Sequence, residues 1–360
     1  MSKALNNDDL SARLEKITES YASRKDTSAV QFALESPSRD WRWEWSEVGA
    51  SKQYFIASTT KLYVVSLIMQ LRYEGVLEID APAARYLPDS VLCGIHVYKD
   101  KDYSSNITVR ELLAQTSGIA DYFEQAQSDG STQIKKFLQQ DFAWSLDDVL
   151  DIAKHKMKPR FPPSTPGKAF YSDTNYQLLG AIIEHVTGEN YETVLKNKIL
   201  LPLGLKDTFA FTLETTDRYD SLCPMLYGKH EVKIPKAMAS VRADGGIVST
   251  THDGLVFLKA FMEGKLFPEE YVQEIQEQWN PIFAPFDYGM GIMRFRLPAI
   301  YRLFAKIPDM VGHSGASGAV LYYIPKLDLY ISGTVNQIKK HSLPYQAMVQ
   351  MVMAFMKALK

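Results

Sequence analysis

At 360 residues, with 46% apolar and 23% charged side chains, the chain has an ordinary globular composition and enough length for about two lobes. Its net charge of -2 excludes nucleic acid or an anionic membrane surface as an expected partner, and no stretch approaches the ~18 consecutive apolar residues of a spanning helix. Cys93 and Cys223 are the only two cysteines and lie far apart, which fits reduced structural thiols and neither a disulfide framework nor a metal site.

In chain order, residues 1–10 hold no apolar segment of signal-peptide length. The protein as written is therefore expected to be cytoplasmic, with an exported form whose leader has been removed as the alternative. Asp8 to Tyr21 is a predicted amphipathic helix, followed by strands at Val30–Leu34 and Trp41–Trp45. The period of two in Trp41, Trp43 and Trp45 puts all three indoles on one sheet face, packed against a helix.

Ser58-Thr59-Thr60-Lys61 is an S-x-x-K tetrad at the start of a predicted helix that carries Leu62 to Met69. Residues three apart share a helix face, so Lys61 reaches back to the Ser58 hydroxyl. Free N–H groups and positive potential at a helix start favour an alkoxide or oxyanion there. Alone, the tetrad is weak and reads more readily as a serine cap before a solvated lysine.

From about Ile79 to Leu226 the patterns are mostly helical, including Ser145–His155 and Tyr176–Val186. Strands are expected again from about Ile234. Tyr345–Lys360 closes the chain as a helix whose Met348, Met351, Val352, Phe355, Met356 and Leu359 form a core face.

Two further motifs stand at long range. Tyr171-Ser172-Asp173 lies 113 positions beyond Ser58 (171 minus 58), between the turn Pro166-Gly167 and a helical pattern. His313-Ser314-Gly315 lies 255 positions beyond it (313 minus 58), ahead of the strand-like run Ala319–Ile324. Gly312-His-Ser-Gly-Ala316 misses the last glycine of a G-x-S-x-G elbow, which makes Ser314 a poor rival nucleophile. The seven histidines show no H-x-x-x-H pair and no cluster at metal spacing.

These motifs, with Ile107–Gly118, Tyr171–Gly180, Pro202–Leu205 and Ala243–Thr250, resemble the serine β-lactamase and penicillin-binding protein superfamily. The likeness is to its class C-like branch of β-lactamases, D-alanyl-D-alanine carboxypeptidases, D-aminopeptidases and esterases, and it runs from about Val30 to Gln337. It implies an α/β fold of the α+β type, β-lactamase/transpeptidase-like, with an antiparallel sheet flanked by helices. An α/β lobe would span about 1–78 and 234–360, a helical lobe about 79–233, and the active site would lie between them. The resemblance further implies Ser58 as nucleophile, an oxyanion hole made by the backbone N–H groups of Ser58 and Ala316, and Tyr171 beside Ser58 and Lys61. The implied substrate is a small molecule or short peptide, and neither metal nor organic cofactor is required.

Two positions depart from the best-known class C pattern. Asp173 stands where those enzymes carry asparagine; near Lys61 it would hold the ammonium form, leaving Tyr171, its pKa lowered by that charge, as base and shuttle. The other reading of Asp173 is a cap on the following helix. His313 replaces a lysine, and a mostly neutral imidazole suits a β-lactam carboxylate poorly but can relay a proton to a leaving group. Asp173, Ser314, Gly315, Tyr122 and Phe123 are expected to contact substrate, with Phe283–Tyr288 as a further wall; for these aromatics ordinary packing is the equal alternative. The expected function is a serine hydrolase of a small ester, D-amino-acid peptide or β-lactam acting through a Ser58 acyl-enzyme. The alternative is a slow-deacylating penicillin- or peptidoglycan-binding protein.

Overall fold

Eight strands pair into one antiparallel sheet in the computed structural model, which describes residues 7–49, 52–297 and 307–359. They are β1 (Gln31–Ser36), β2 (Trp41–Ser46), β3 (Asn280–Phe283), β4 (Phe286–Tyr288), β5 (Met293–Phe295), β6 (Met310–Gly315), β7 (Ala319–Ile324) and β8 (Leu329–Thr334). Their spatial order is β3-β4-β5-β6-β7-β8-β1-β2, so the first strands of the chain pair onto its last, Gln31 opposite Thr334 and Glu35 opposite Tyr330. Side chains alternate across the pleat: Val320, Tyr322 and Ile324 of β7 enter one layer, whereas Leu321 and Tyr323 enter the other.

Six helices frame this sheet and the site: α1 (Asn7–Ala22), α2 (Thr60–Tyr73), α3 (Asp173–Thr187), α4 (Pro235–Ser240), α5 (Thr251–Met262) and α6 (Ser342–Ala358). The apolar stripes of α1 and α6 cover one sheet face, where Trp41 is buried with Trp43 and Trp45 packed beside it, as their alternation predicts. The Trp41 ring stands 5.2 Å from that of Phe355. On the other face lie α2 and α5. Every residue of α2 from Thr60 to Met69 is buried, the pattern of a helix surrounded by protein rather than of one with a wet side. Lys61 is thereby carried into the interior.

Helix α3 begins at Asp173, three residues before its predicted start at Tyr176. The predicted helix at Ser145–His155 divides into Leu146–Asp151 and a wider π turn at Ile152–Lys156. The expectation of strands from Ile234 needs correction: α4, Arg242–Gly245, α5 and Glu269–Glu274 come first, with Ile247–Ser249 as the one strand among the described residues before Asn280. Thr250 starts α5 by accepting the Asp253 N–H, and Leu255, Leu258 and Phe261 then recur at helical spacing. Residues 1–6, on which the leaderless reading partly rests, and Lys360, the predicted end of the last helix, lie outside the described residues. Among those described, no helix is long and apolar enough to cross a membrane.

Candidate active site

The short strand Tyr54–Phe55, paired with Ile247–Ser249, delivers the chain to a sharp turn ahead of α2. Ala57 takes a left-handed conformation with φ of 45°, an arrangement costing about 1–3 kcal/mol that surrounding packing must hold. The tight turn Ala57–Thr59 then presents Ser58 at the mouth of α2. Gly315, ending β6, presses against this turn so closely that a Cβ there would lie 2.2 Å from the Ile56 carbonyl oxygen. Among the described residues, nothing accepts a hydrogen bond from the N–H of Ser58 or of Ala316, so two free donors flank one cavity wall.

Lys61 is fully buried, and its Nζ donates to Asp173 Oδ1 at 2.6 Å, to the Asp244 carbonyl oxygen at 2.6 Å and to Ser58 Oγ at 3.1 Å. Three acceptors match the three protons of an ammonium and leave no lone pair facing Ser58. The capping reading of Asp173 fails, because its carboxylate is turned to Lys61. The first N–H of α3 instead donates to Asp121 Oδ1 at 2.9 Å.

Asp121 spans two segments: its Oδ2 accepts the Glu124 N–H at 2.7 Å, and its Oδ1 also takes the Phe123 N–H. Burial, then the charge of Asp173, push its carboxyl up to about 7. Asp244 accepts from the Tyr122 hydroxyl at 2.8 Å and from Gln177 Nε2 at 2.9 Å, and burial raises it well above the usual carboxylate range. Asp121 and Asp244 escaped sequence reasoning, although Asp244 lies within Ala243–Thr250 and Asp121 just beyond Ile107–Gly118. Thr174 and Ser172 both donate to the Ala120 carbonyl, and Asn175 donates to Gln115, so the segments 115–121 and 172–175 form one buttress under the lysine.

The Tyr171 ring centroid lies 5.1 Å from Lys61 Nζ. Burial raises the phenol well above its usual range, and the charge of Asp173 raises it further, so the net shift is opposite to the lowering expected from Lys61. The Ser58 hydroxyl pulls the phenol weakly down, yet Tyr171 Oη makes no formed hydrogen bond among the described residues. His313 is fully buried behind these rings, with Nε2 3.2 Å from the Tyr288 hydroxyl, and Nδ1 accepts the Ser314 N–H at 3.0 Å. Burial, then the nearby charge of Lys61, push it down to about 3, so it is neutral at pH 7.

A cavity of about 440 Å³ opens over Ser58, within the range of small-molecule sites, and its wall includes Phe123, Tyr171, Asp173, Ser314, Gly315 and Ala316. Phe283 and Phe286 close one side, as the aromatic segment suggested. Tyr122 departs from its expected place: it is fully buried, with its hydroxyl spent on Asp244, and does not reach the cavity. His313 likewise stands outside the cavity wall, behind it rather than in it. Ser314 Oγ is 2.6 Å from the Tyr322 hydroxyl, and no lysine, histidine or carboxylate side chain hydrogen-bonds to it among the described residues. Glu124, at the mouth, has no ion-pair partner among the described residues, and burial followed by the charge of Asp173 raises its carboxyl.

The family model described as Beta-lactamase matches residues 40–350. A protein of Bacillus subtilis (strain 168), provisionally named penicillin-binding protein PbpX, is 27% identical over 244 residues, 66% of this chain and 52% of that protein. One of Salmonella agona (strain SL483), provisionally named D-alanyl-D-alanine carboxypeptidase, is 25% identical over 296 residues, 74% of this chain and 65% of that one. The chain thus spans between about half and two thirds of the length of these curated relatives. The D-amino acid amidase of Ochrobactrum anthropi SV3, solved with D-phenylalanine, shares the fold at a TM-score of 0.78 and 21% identity, over 97% of this chain and 99% of that one.

Proposed function

The chain belongs to the Beta-lactamase family, and from that premise we propose that it is a serine hydrolase that cleaves an amide or ester through an acyl-enzyme on Ser58. The observation that carries this reading is the hydrogen bond from Lys61 Nζ to Ser58 Oγ, made by a buried ammonium that Asp173 holds in place. Ser58 Oγ bonds to the scissile carbonyl carbon, and the oxyanion is received by the N–H groups of Ser58 and Ala316. The serine proton passes to Tyr171 Oη while the phenol's own proton moves to the leaving nitrogen or oxygen, so no phenolate accumulates and a high phenol pKa is tolerable. The C–N or C–O bond then breaks. Water attacks the acyl carbon, gives its proton to Tyr171 and receives the acyl group as the free acid, and the phenol proton returns to Ser58.

The charge of the cavity narrows the substrate. Glu124 and Asp173 line it, and among the described residues no lysine or arginine does, while burial pushes the His341 imidazole down. Asp173 is already paired with Lys61, so a carboxylate-bearing substrate, such as a β-lactam or a peptide ending in D-alanine, finds no free cation among the described residues of that wall to receive it. A neutral ester or an amine-bearing amide needs none, and the shared fold with a D-amino acid amidase supports the same choice.

The test is steady-state hydrolysis of a short-chain nitrophenyl ester, a D-amino acid amide and a chromogenic cephalosporin by wild type and Ser58→Ala. Turnover of ester or amide that disappears in the variant, with the cephalosporin at least about tenfold slower, is the expected result. Ester turnover surviving in Ser58→Ala would remove the nucleophile. Efficient cephalosporin turnover would remove the charge argument, and one acyl group bound per chain without turnover would make the protein a slow-deacylating binder.

A further inference from the structure

A second, smaller chamber of about 60 Å³ adjoins the main cavity at Ser58, sharing Ser58, Phe123, Asp173 and Ala316 with it. Its remaining wall is mainly apolar, with Phe137, Met225, Ile234, Met238, Val241 and Ile338 drawn from one hydrophobic cluster, and Asp244 and Ser317 are its further polar residues. Tyr171 lines the main cavity and not this chamber.

That asymmetry orients the substrate. A tetrahedral carbon on Ser58 Oγ carries the oxyanion, the leaving group and the acyl substituent. The oxyanion belongs at the N–H groups of Ser58 and Ala316, and the leaving group must face the Tyr171 proton, hence the main cavity. The acyl substituent is left with the apolar side. We propose that the small chamber is the acyl pocket, selecting a compact aliphatic acyl group, with Met225 and Met238 as its adjustable walls; this rests on the acyl-enzyme reading above.

Size gives the selection. A water-sized site takes about 10–15 Å³ of such volume, so the chamber holds on the order of four or five non-hydrogen atoms. Branched or short linear chains fit, and longer ones meet the side chains of α4 and the wall at Ile338. Burying each methylene is favourable until the chamber is full, after which every further one must displace packed side chains. Methionines make the limit soft rather than sharp, since a thioether adapts at low cost.

The experiment is a series of p-nitrophenyl esters from acetyl to dodecanoyl with wild type, Met238→Trp and Met238→Ala, each variant checked by thermal unfolding. For wild type, kcat/KM is expected to peak near butanoyl to hexanoyl and to fall about tenfold or more by decanoyl. Met238→Trp moves the optimum to acetyl, Met238→Ala moves it to longer chains, and replacing nitrophenyl by other leaving groups leaves the optimum unchanged in all three. A flat wild-type profile, one rising to dodecanoyl, or equal loss at every chain length in a folded Met238→Trp would overturn the assignment. Should either variant fail to fold, Met225→Ala gives the same reading. Failure of the underlying mechanism looks different: ester turnover that survives in Ser58→Ala, with no covalent phosphonate adduct on Ser58 by mass spectrometry.

Discussion

Lys61 Nζ lies 2.6 Å from Asp173 Oδ1, an ion pair that joins helices 112 positions apart and is fully buried on the lysine side. Such a pair gains little net stability, but losing one member strands the other in a low-dielectric interior. Lys61→Met should therefore cost about 3–5 kcal/mol, while Asp173→Asn keeps an acceptor for the ammonium and costs less. Denaturant unfolding of both singles and the double checks the coupling. A double variant as unstable as the sum of the singles would mean that the two side chains do not act as a pair.

Removing the Tyr171 hydroxyl separates chemistry from stability. The Tyr171 oxygen faces the Ser58 hydroxyl without a formed hydrogen bond among the described residues, so Tyr171→Phe should change stability by no more than about 1 kcal/mol. If the phenol relays the serine proton, kcat should nevertheless fall about 10²- to 10⁴-fold. Ester kinetics beside a melting curve decides it; a variant with near-normal acylation rate would take the relay away from Tyr171.

Much of this arrangement is legible in the order of the residues alone. The reach from Lys61 to Ser58 spans three residues of one helix, and local periodicity dictates it. The three indoles of β2 follow from a period of two. What lies beyond is set by tertiary contact. Tyr122 and Phe123 are adjacent in sequence, yet the turn held by Asp121 sends one to Asp244 and the other to the cavity. The acyl chamber draws on Phe137, Met225, Met238 and Ile338, four separate segments whose meeting no local pattern encodes. Asp244 had a signal, its place in Ala243-Asp-Gly-Gly246, but nothing in that phrase tells that its carbonyl and not its carboxylate accepts the hydrogen bond from Lys61.

The contact between Gly315 and the Ile56 carbonyl predicts a localised defect. A methyl group placed 2.2 Å from that oxygen forces β6 away from the turn before α2, and the Ala316 N–H moves with it. Gly315→Ala should lower kcat by the worth of one oxyanion donor, about 10²- to 10³-fold, with a smaller effect on KM. Phosphonate labelling of Ser58 should slow in proportion. Equal loss in KM and kcat would instead indicate a collapsed cavity.

Two buried groups should bend the stability-pH curve in opposite directions. His313, facing Lys61 and Tyr288, takes a proton in the unfolded chain below about 6.5 but resists it in the folded one until about 3. Unfolded protein thus binds more protons in that window, and stability is lost as pH falls through it. His313→Gln removes the penalty and should gain about 2 kcal/mol relative to wild type between pH 6.5 and pH 5. Asp121, facing Asp173 and Glu124, behaves inversely: folding raises its carboxyl to about 7, so its contribution is present at low pH and is lost as pH rises from about 4 through 7. Asp121→Asn should accordingly gain on wild type as pH rises. Urea unfolding at pH 5, 6 and 7 measures both differences, and variants that shift in the same direction would show that one of these buried charges has been assigned the wrong state.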